Sequence, residues 1–162
     1  MKPRIEVLLR IKTRHRKKGR EAHVTAAVEQ ALLAGKPEIL NGPHAHALSI
    51  VLSDDTLLRE LNHTYRGYDK PTDVLSFEGQ AIGDRYLGDV IISMDRVAAQ
   101  AAKSGHVEDD ELALLVIHGT LHLTGHDHMT APDKAVMWVR QKQAIRALQD
   151  AGFVSKGMKL PR

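Results

Sequence analysis

Residues 108–128 read EDDELALLVIHGTLHLTGHDH, and the rest of the chain is best read outward from them. The stretch predicts a helix over Glu108–Leu123 that stops at Gly125, because glycine takes the left-handed conformation at low cost. His118 and His122 are four apart, about 40° around a helix axis, so both rings project from one face. Leu121 and Leu123 flank that face with core-like side chains. Past Gly125 the chain can double back and bring a third imidazole to the same point. His126 and His128 compete for that place, and His128 is favoured because it lies further beyond the turn. Three neutral imidazoles suit zinc at about 2.0–2.1 Å and leave a fourth position open, which marks a catalytic rather than a structural site. A histidine pair at this spacing alone is ordinarily just solvated helix surface; the third histidine and the leucines shift the reading to a metal. Asp127 either orients a ligand, helps to move a proton, or simply shapes the turn.

The spacing of His118, His122, Gly125 and His128 matches the metzincin pattern H-E-x-x-H-x-x-G-x-x-H. Its glutamate is missing, because position 119 is glycine. In those peptidases the glutamate is the general base, and glycine can neither take nor give a proton. The pattern keeps the metal ligands and loses the peptidase base.

On either side of this helix the sequence alternates short apolar runs with helical periodicity. Strands are predicted at 4–11, 47–52, 72–77 and 87–93, the last after a glycine-containing loop. Helices are predicted at 23–34, from a cap at Ser53 or Asp54 to about 65, at 95–103, and from Pro132 to about 151. About four strands and five helices in mixed order define an α+β single domain over residues 1–162, a small mixed four-stranded sheet packed with helices. Residues 12–20 read as a basic loop and 153–162 as a loose tail.

A chain of 162 residues suits one domain. Hydrophobic residues are 43% and charged residues 27%, ordinary for a globular protein, while aromatics at 4% exclude a nucleic-acid site built on many stacked rings. The absence of cysteine excludes disulfides, thiol nucleophiles and cysteine-based zinc or iron–sulfur sites, and fits a reducing cytosol. No apolar run approaches the length of a membrane span, and the basic start shows no signal-peptide pattern. Net charge is +3, unevenly placed: residues 1–20 hold nine Lys or Arg against one acid, and the remainder holds 14 against 19. Arg14, Arg16, Lys17 and Lys18 are therefore candidate phosphate contacts, the alternative being a solvated basic loop.

Residues 61–77, LNHTYRGYDKPTDVLSF, read as a helix end, a polar turn and a strand. Pro71 stiffens the turn, and Asp73 can hold it by bonding backbone amides. Arg66 stands at the junction, where a planar guanidinium suits phosphate oxygens.

Taken in order, LNxxYRxxDxPTDVLSF, the LGD of residues 87–89 and HGxLHLxGxDH make the chain resemble the YbeY endoribonuclease family of bacterial rRNA maturation factors. The resemblance runs from about Ala47 to about Ala151. It implies a fold similar to zinc metallopeptidases. It implies a zinc-dependent, single-strand-specific endoribonuclease that acts on ribosomal RNA and the small ribosomal subunit, in 16S rRNA 3′-end maturation and ribosome quality control, in the cytoplasm. It implies one zinc ion per chain held by His118, His122 and His128, with Arg66 beside it as a catalytic residue; Asp127 is the candidate for proton transfer. Two positions depart from the family pattern. His126 stands where an aromatic is usual, and Glu78 where proline is common.

Overall fold

In the computed structural model, which describes residues 5–79 and 85–160, all four strands and all five helices form within a few residues of their expected bounds. Residues 1–4, 80–84 and 161–162 lie outside the described residues, and with them the start of the first expected strand, much of the glycine-containing loop and the last residues of the tail. The strands are β1 (Ile5–Ile11), β2 (His46–Ser53), β3 (Val74–Glu78) and β4 (Tyr86–Ser93). They form one sheet in the order β1-β2-β4-β3, with β1, β2 and β4 parallel and β3 antiparallel to β4. The helices are α1 (Arg20–Gly35), α2 (Glu38–Asn41), α3 (Asp55–Arg66), α4 (Met94–Ser104), α5 (Glu108–Leu123) and α6 (Ala131–Asp150). The four-residue α2 went unread in the sequence: Pro37 starts it and Gly42 ends it too soon for any periodicity to show.

Alternation along the strands sorts the core into two layers. Leu48, Ile50 and Leu52 of β2 and Val90 and Ile92 of β4 pack with α1, α5 and α6 in the main core. Val51, Leu75, Ile91 and Phe77 turn to the other face, against Leu57, Leu58 and Leu61 of α3. Helix α5 is central: Leu112 to Ile117 are all buried, so it is apolar on every side, as an interior helix must be. Of the two cap candidates Ser53 and Asp54, it is Asp54 that caps α3, accepting from the Leu57 amide at 3.1 Å.

The LGD segment is a structural device. Gly88 sits at φ 130°, and a Cβ there would lie 2.1 Å from the Phe77 carbonyl oxygen. Asp89 accepts a bond from the Tyr86 hydroxyl, which also meets the Ser49 hydroxyl at 2.6 Å, where the β2–β4 register shifts.

The expected loose tail is instead packed. Val154 and Met158 are buried in the main core, Leu160 lies against it, and the Ser155 amide donates to the buried Asp110 carboxylate at 3.1 Å. Isolated apolar residues in a polar stretch carry no periodic signal, which is why composition alone suggested looseness.

Candidate functional site

Helix α5 carries His118 and His122 one turn apart, with ring centroids 4.7 Å from each other. Its end is closed by the Gly125 amide on the His122 carbonyl and the His126 amide on the Leu121 carbonyl, both 3.1 Å, with Gly125 at φ 94°. The chain then returns, and the His128 ring lies 5.4 Å from that of His118 and 5.1 Å from that of His122. One ring nitrogen from each of the three lies within 4.8 Å of the others. His126 does not join them. Its Nε2 donates to the Gly35 carbonyl at the end of α1, 3.0 Å away. His126 is thus held away from that group by a backbone acceptor on another helix, which no local pattern shows.

Burial lowers the proton affinity of His118; the bond to Gln141 opposes this in part, and the neighbouring His128 adds to the lowering. Burial, followed by the nearby His118 and His128, pushes His122 down to about 4. His122 is therefore neutral at physiological pH, with a lone pair to offer. The Nδ1 of His118 lies 2.6 Å from Gln141 Oε1, an atom that can only accept, so Nδ1 carries the hydrogen and Nε2 the lone pair. That Nε2 lies 3.1 Å from Nε2 of His122. Three converging imidazoles, one nitrogen of each turned to a common point, are a donor set that fits a borderline metal such as zinc.

The histidines line a cleft of about 590 Å³ whose opposite wall comes from the second motif. Arg66 ends α3 just before Gly67, which takes φ 76°, and it faces the cleft together with Thr72, Asp73, Val74, Ser76 and Glu78. Asp73 holds the turn as expected: its carboxylate takes the Val74 amide at 2.8 Å and the Gln100 side chain at 3.2 Å, while its carbonyl takes the Ser93 amide at 2.9 Å. Asp127 also lines the cleft, with one carboxylate oxygen accepting from the His128 amide at 2.7 Å.

Gly119, in the place of the peptidase glutamate, has a packing reason. A Cβ there would meet Val90 Cγ1 at 2.5 Å, and the Gly119 carbonyl accepts from the Ser76 hydroxyl at 3.0 Å. Helix α5 lies so close to the sheet that a side chain at this position would displace Val90, which disfavours a glutamate base there.

The basic loop lies elsewhere. It follows β1, at the sheet edge opposite β3, three strand spacings or roughly 14 Å away. Arg14 pairs with Asp54 at 2.8 Å, as does Lys12 at 2.6 Å, and Lys17 pairs with Asp109 at 3.0 Å. Arg16 and Lys18 line a separate hollow with Leu9, Ile11, Lys17 and Glu21. Of the four expected phosphate contacts, two are thus engaged within the fold and none borders the cleft.

Sequence reasoning missed Gln141 and Trp138, both on α6. The Trp138 ring lies 6.3 Å from that of His118 and 6.1 Å from that of His128. Gln141 did leave a trace: it is a polar residue on the buried stripe Met137, Ala144, Ile145 and Leu148.

Fold and site together define an α+β protein whose interior helix and following turn deliver three histidines to a cleft faced by an arginine. A family model described as endoribonuclease YbeY matches residues 10–149. The curated endoribonuclease YbeY of Roseiflexus sp. (strain RS-1) is 46% identical over 76% of this chain and 83% of that protein. That of Bacillus cereus (strain Q1) is 43% identical over 62% of this chain and 71% of its own length. This chain belongs to the YbeY endoribonuclease family. The solution structure of TM1509 from Thermotoga maritima shares the fold, with a TM-score of 0.57 at 22% identity over 95% of this chain and 100% of that one.

Proposed function

We propose that this chain is a zinc-dependent, single-strand-specific endoribonuclease, with one ion per chain held by His118, His122 and His128. The observation that carries the reading is the convergence of three imidazole nitrogens within 4.8 Å, in a cleft that Arg66 also lines. The relatives' name, endoribonuclease, supplies the substrate class. Its substrate is ribosomal RNA of the small subunit, including the 3′ end of 16S rRNA, and it acts in subunit quality control in the cytoplasm. No helix among the described residues is long and apolar enough to cross a membrane.

When bound, the ion supplies Lewis acidity at the scissile phosphate. Arg66 binds the phosphate across the cleft and neutralises charge that builds on its non-bridging oxygens. Asp127 fixes the His128 loop with one oxygen and takes or gives a proton with the other. Gly119 leaves the strand-facing side of α5 without a base, which argues against peptide hydrolysis.

The test is incubation of metal-replete protein with single-stranded ribosomal RNA, beside Arg66→Ala and His122→Ala, with zinc measured on the same samples. Arg66→Ala is expected to keep its zinc and lose roughly 100-fold or more in rate, the scale of removing one transition-state donor. His122→Ala is expected to lose both zinc and cleavage. Equal cleavage by all three overturns the reading. So does RNA binding without cleavage by the wild type, which would make the chain a non-catalytic assembly factor. A 2′,3′-cyclic phosphate on the product would identify the RNA 2′-hydroxyl, rather than water, as the nucleophile.

A further inference from the structure

The side chain opposite His118 belongs to neither motif. Gln141 projects from α6 into the interior, only 5% exposed, and its Oε1 lies 2.6 Å from His118 Nδ1. Behind the ring is a small hollow of about 180 Å³, lined by Asp73, Gln100, Glu111, Trp138 and Gln141. An imidazole there without a fixed partner could carry its single hydrogen on either nitrogen. With the hydrogen on Nε2, the ring would present a donor, not a lone pair, to the point where His122 and His128 converge. It could also rotate into the hollow.

We infer that Gln141 is a positioning residue for the three-histidine centre: its buried carbonyl oxygen locks His118 as the Nδ1–H tautomer and fixes the ring plane, so that Nε2 is a ready ligand before any ion arrives. The inference rests on the metal reading above and deepens it. A glutamine does this without charge. Outer partners of metal-bound histidines are commonly carboxylates or backbone carbonyls, which fix the tautomer in the same way. Gln141→Glu therefore keeps the acceptor and adds basicity to the ring, whereas Gln141→Leu keeps the volume and removes the acceptor.

The experiment is a zinc competition titration against a chromophoric chelator for wild type, Gln141→Leu and Gln141→Glu, with nitrogen-15 NMR of the histidine rings in the metal-free wild type. The expected result is Nδ1–H on His118 in the wild type, a 10- to 100-fold loss of zinc affinity in Gln141→Leu, and affinity equal to or above wild type in Gln141→Glu. Zinc affinity in Gln141→Leu within twofold of wild type overturns the inference. So does a wild-type His118 that carries its hydrogen on Nε2, a measurement that needs no variant to fold. A wild type that binds no zinc overturns the metal reading itself, and is distinguished from failure of the Gln141 role by the wild-type titration alone.

Discussion

In the proposed mechanism Asp127 separates two roles within one carboxylate. One oxygen holds the His128 amide, and that bond would survive in Asp127→Asn, because the amide oxygen accepts equally well. Proton transfer would not survive. Asp127→Asn is therefore expected to keep zinc and RNA affinity and to lose roughly 100-fold or more in cleavage rate, the lower end of the range for general acid–base catalysis. A rate within threefold of wild type would reduce Asp127 to a turn residue. At this scale the sequence was informative where chemistry and spacing coincide. His118, His122 and Gly125 could be read because helix geometry alone aligns them. A preference for His128 over His126 could be argued from the turn, but the Gly35 carbonyl that holds His126 aside lies 91 residues away in the chain. Gly119 told of a missing base, and only the sheet behind it tells why.

At the scale of elements, the basic loop has partners that its own sequence does not show. The run 12–20 looks like a polyanion-binding segment because its acidic partners, Asp54 and Asp109, are remote in sequence. In the fold it is a clasp that ties the start of α3 and the start of α5 to the end of β1. The Lys12 ammonium bonded to Asp54, with the Leu57 amide, holds that carboxyl below its usual range. For Asp109 burial opposes ionisation, yet the bonds from Lys17 and Arg20 outweigh it and the carboxyl is again held low. A carboxyl held low in the fold binds fewer protons than in the unfolded chain. Its contribution is thus present above the ordinary value near pH 4 and is lost as pH falls through the lowered folded value. Chemical denaturation across pH 7 to 2 should show an acid limb that flattens in Asp54→Asn, and Arg14→Ala should lose stability without changing RNA binding. Arg16 and Lys18, in contrast, are the pair left to meet phosphate. Their joint replacement by alanine should lower the slope of log affinity against log salt by about 1.4, near 0.7 per contact on a single strand. An unchanged slope would leave the loop with only its structural role.

For the molecule as a whole, the nine long elements were legible because each has a clear period and a clear stop. The docked end was not, because two apolar residues four apart in a glycine- and lysine-containing segment look like solvent-exposed chain. Val154 and Met158 complete the layer between α1, α5 and α6. Removing residues 153–162 uncovers those helices and frees the buried Asp110 carboxylate from its bond to Ser155. At about 1.5–3 kcal/mol for each buried side chain, the truncated protein should lose about 3 kcal/mol or more, read as a lowered urea midpoint. Zinc content at low temperature should be unchanged, since the cleft takes no residue from this end. A midpoint equal to that of the full chain would mean that the end packs without contributing to stability.

The cleft is assembled from segments distant in the chain: Arg66 to Glu78, His118 to Met129, and the support of Gln141. No shorter stretch holds both the histidines and the arginine, and the Val90 contact that seats α5 requires β4 to be in place. During synthesis, a ribosome that has released the first hundred residues has made the arginine wall with nothing opposite it. The proposed cutting activity therefore needs α5 and the His128 loop to have emerged and packed against β4, which comes late in translation.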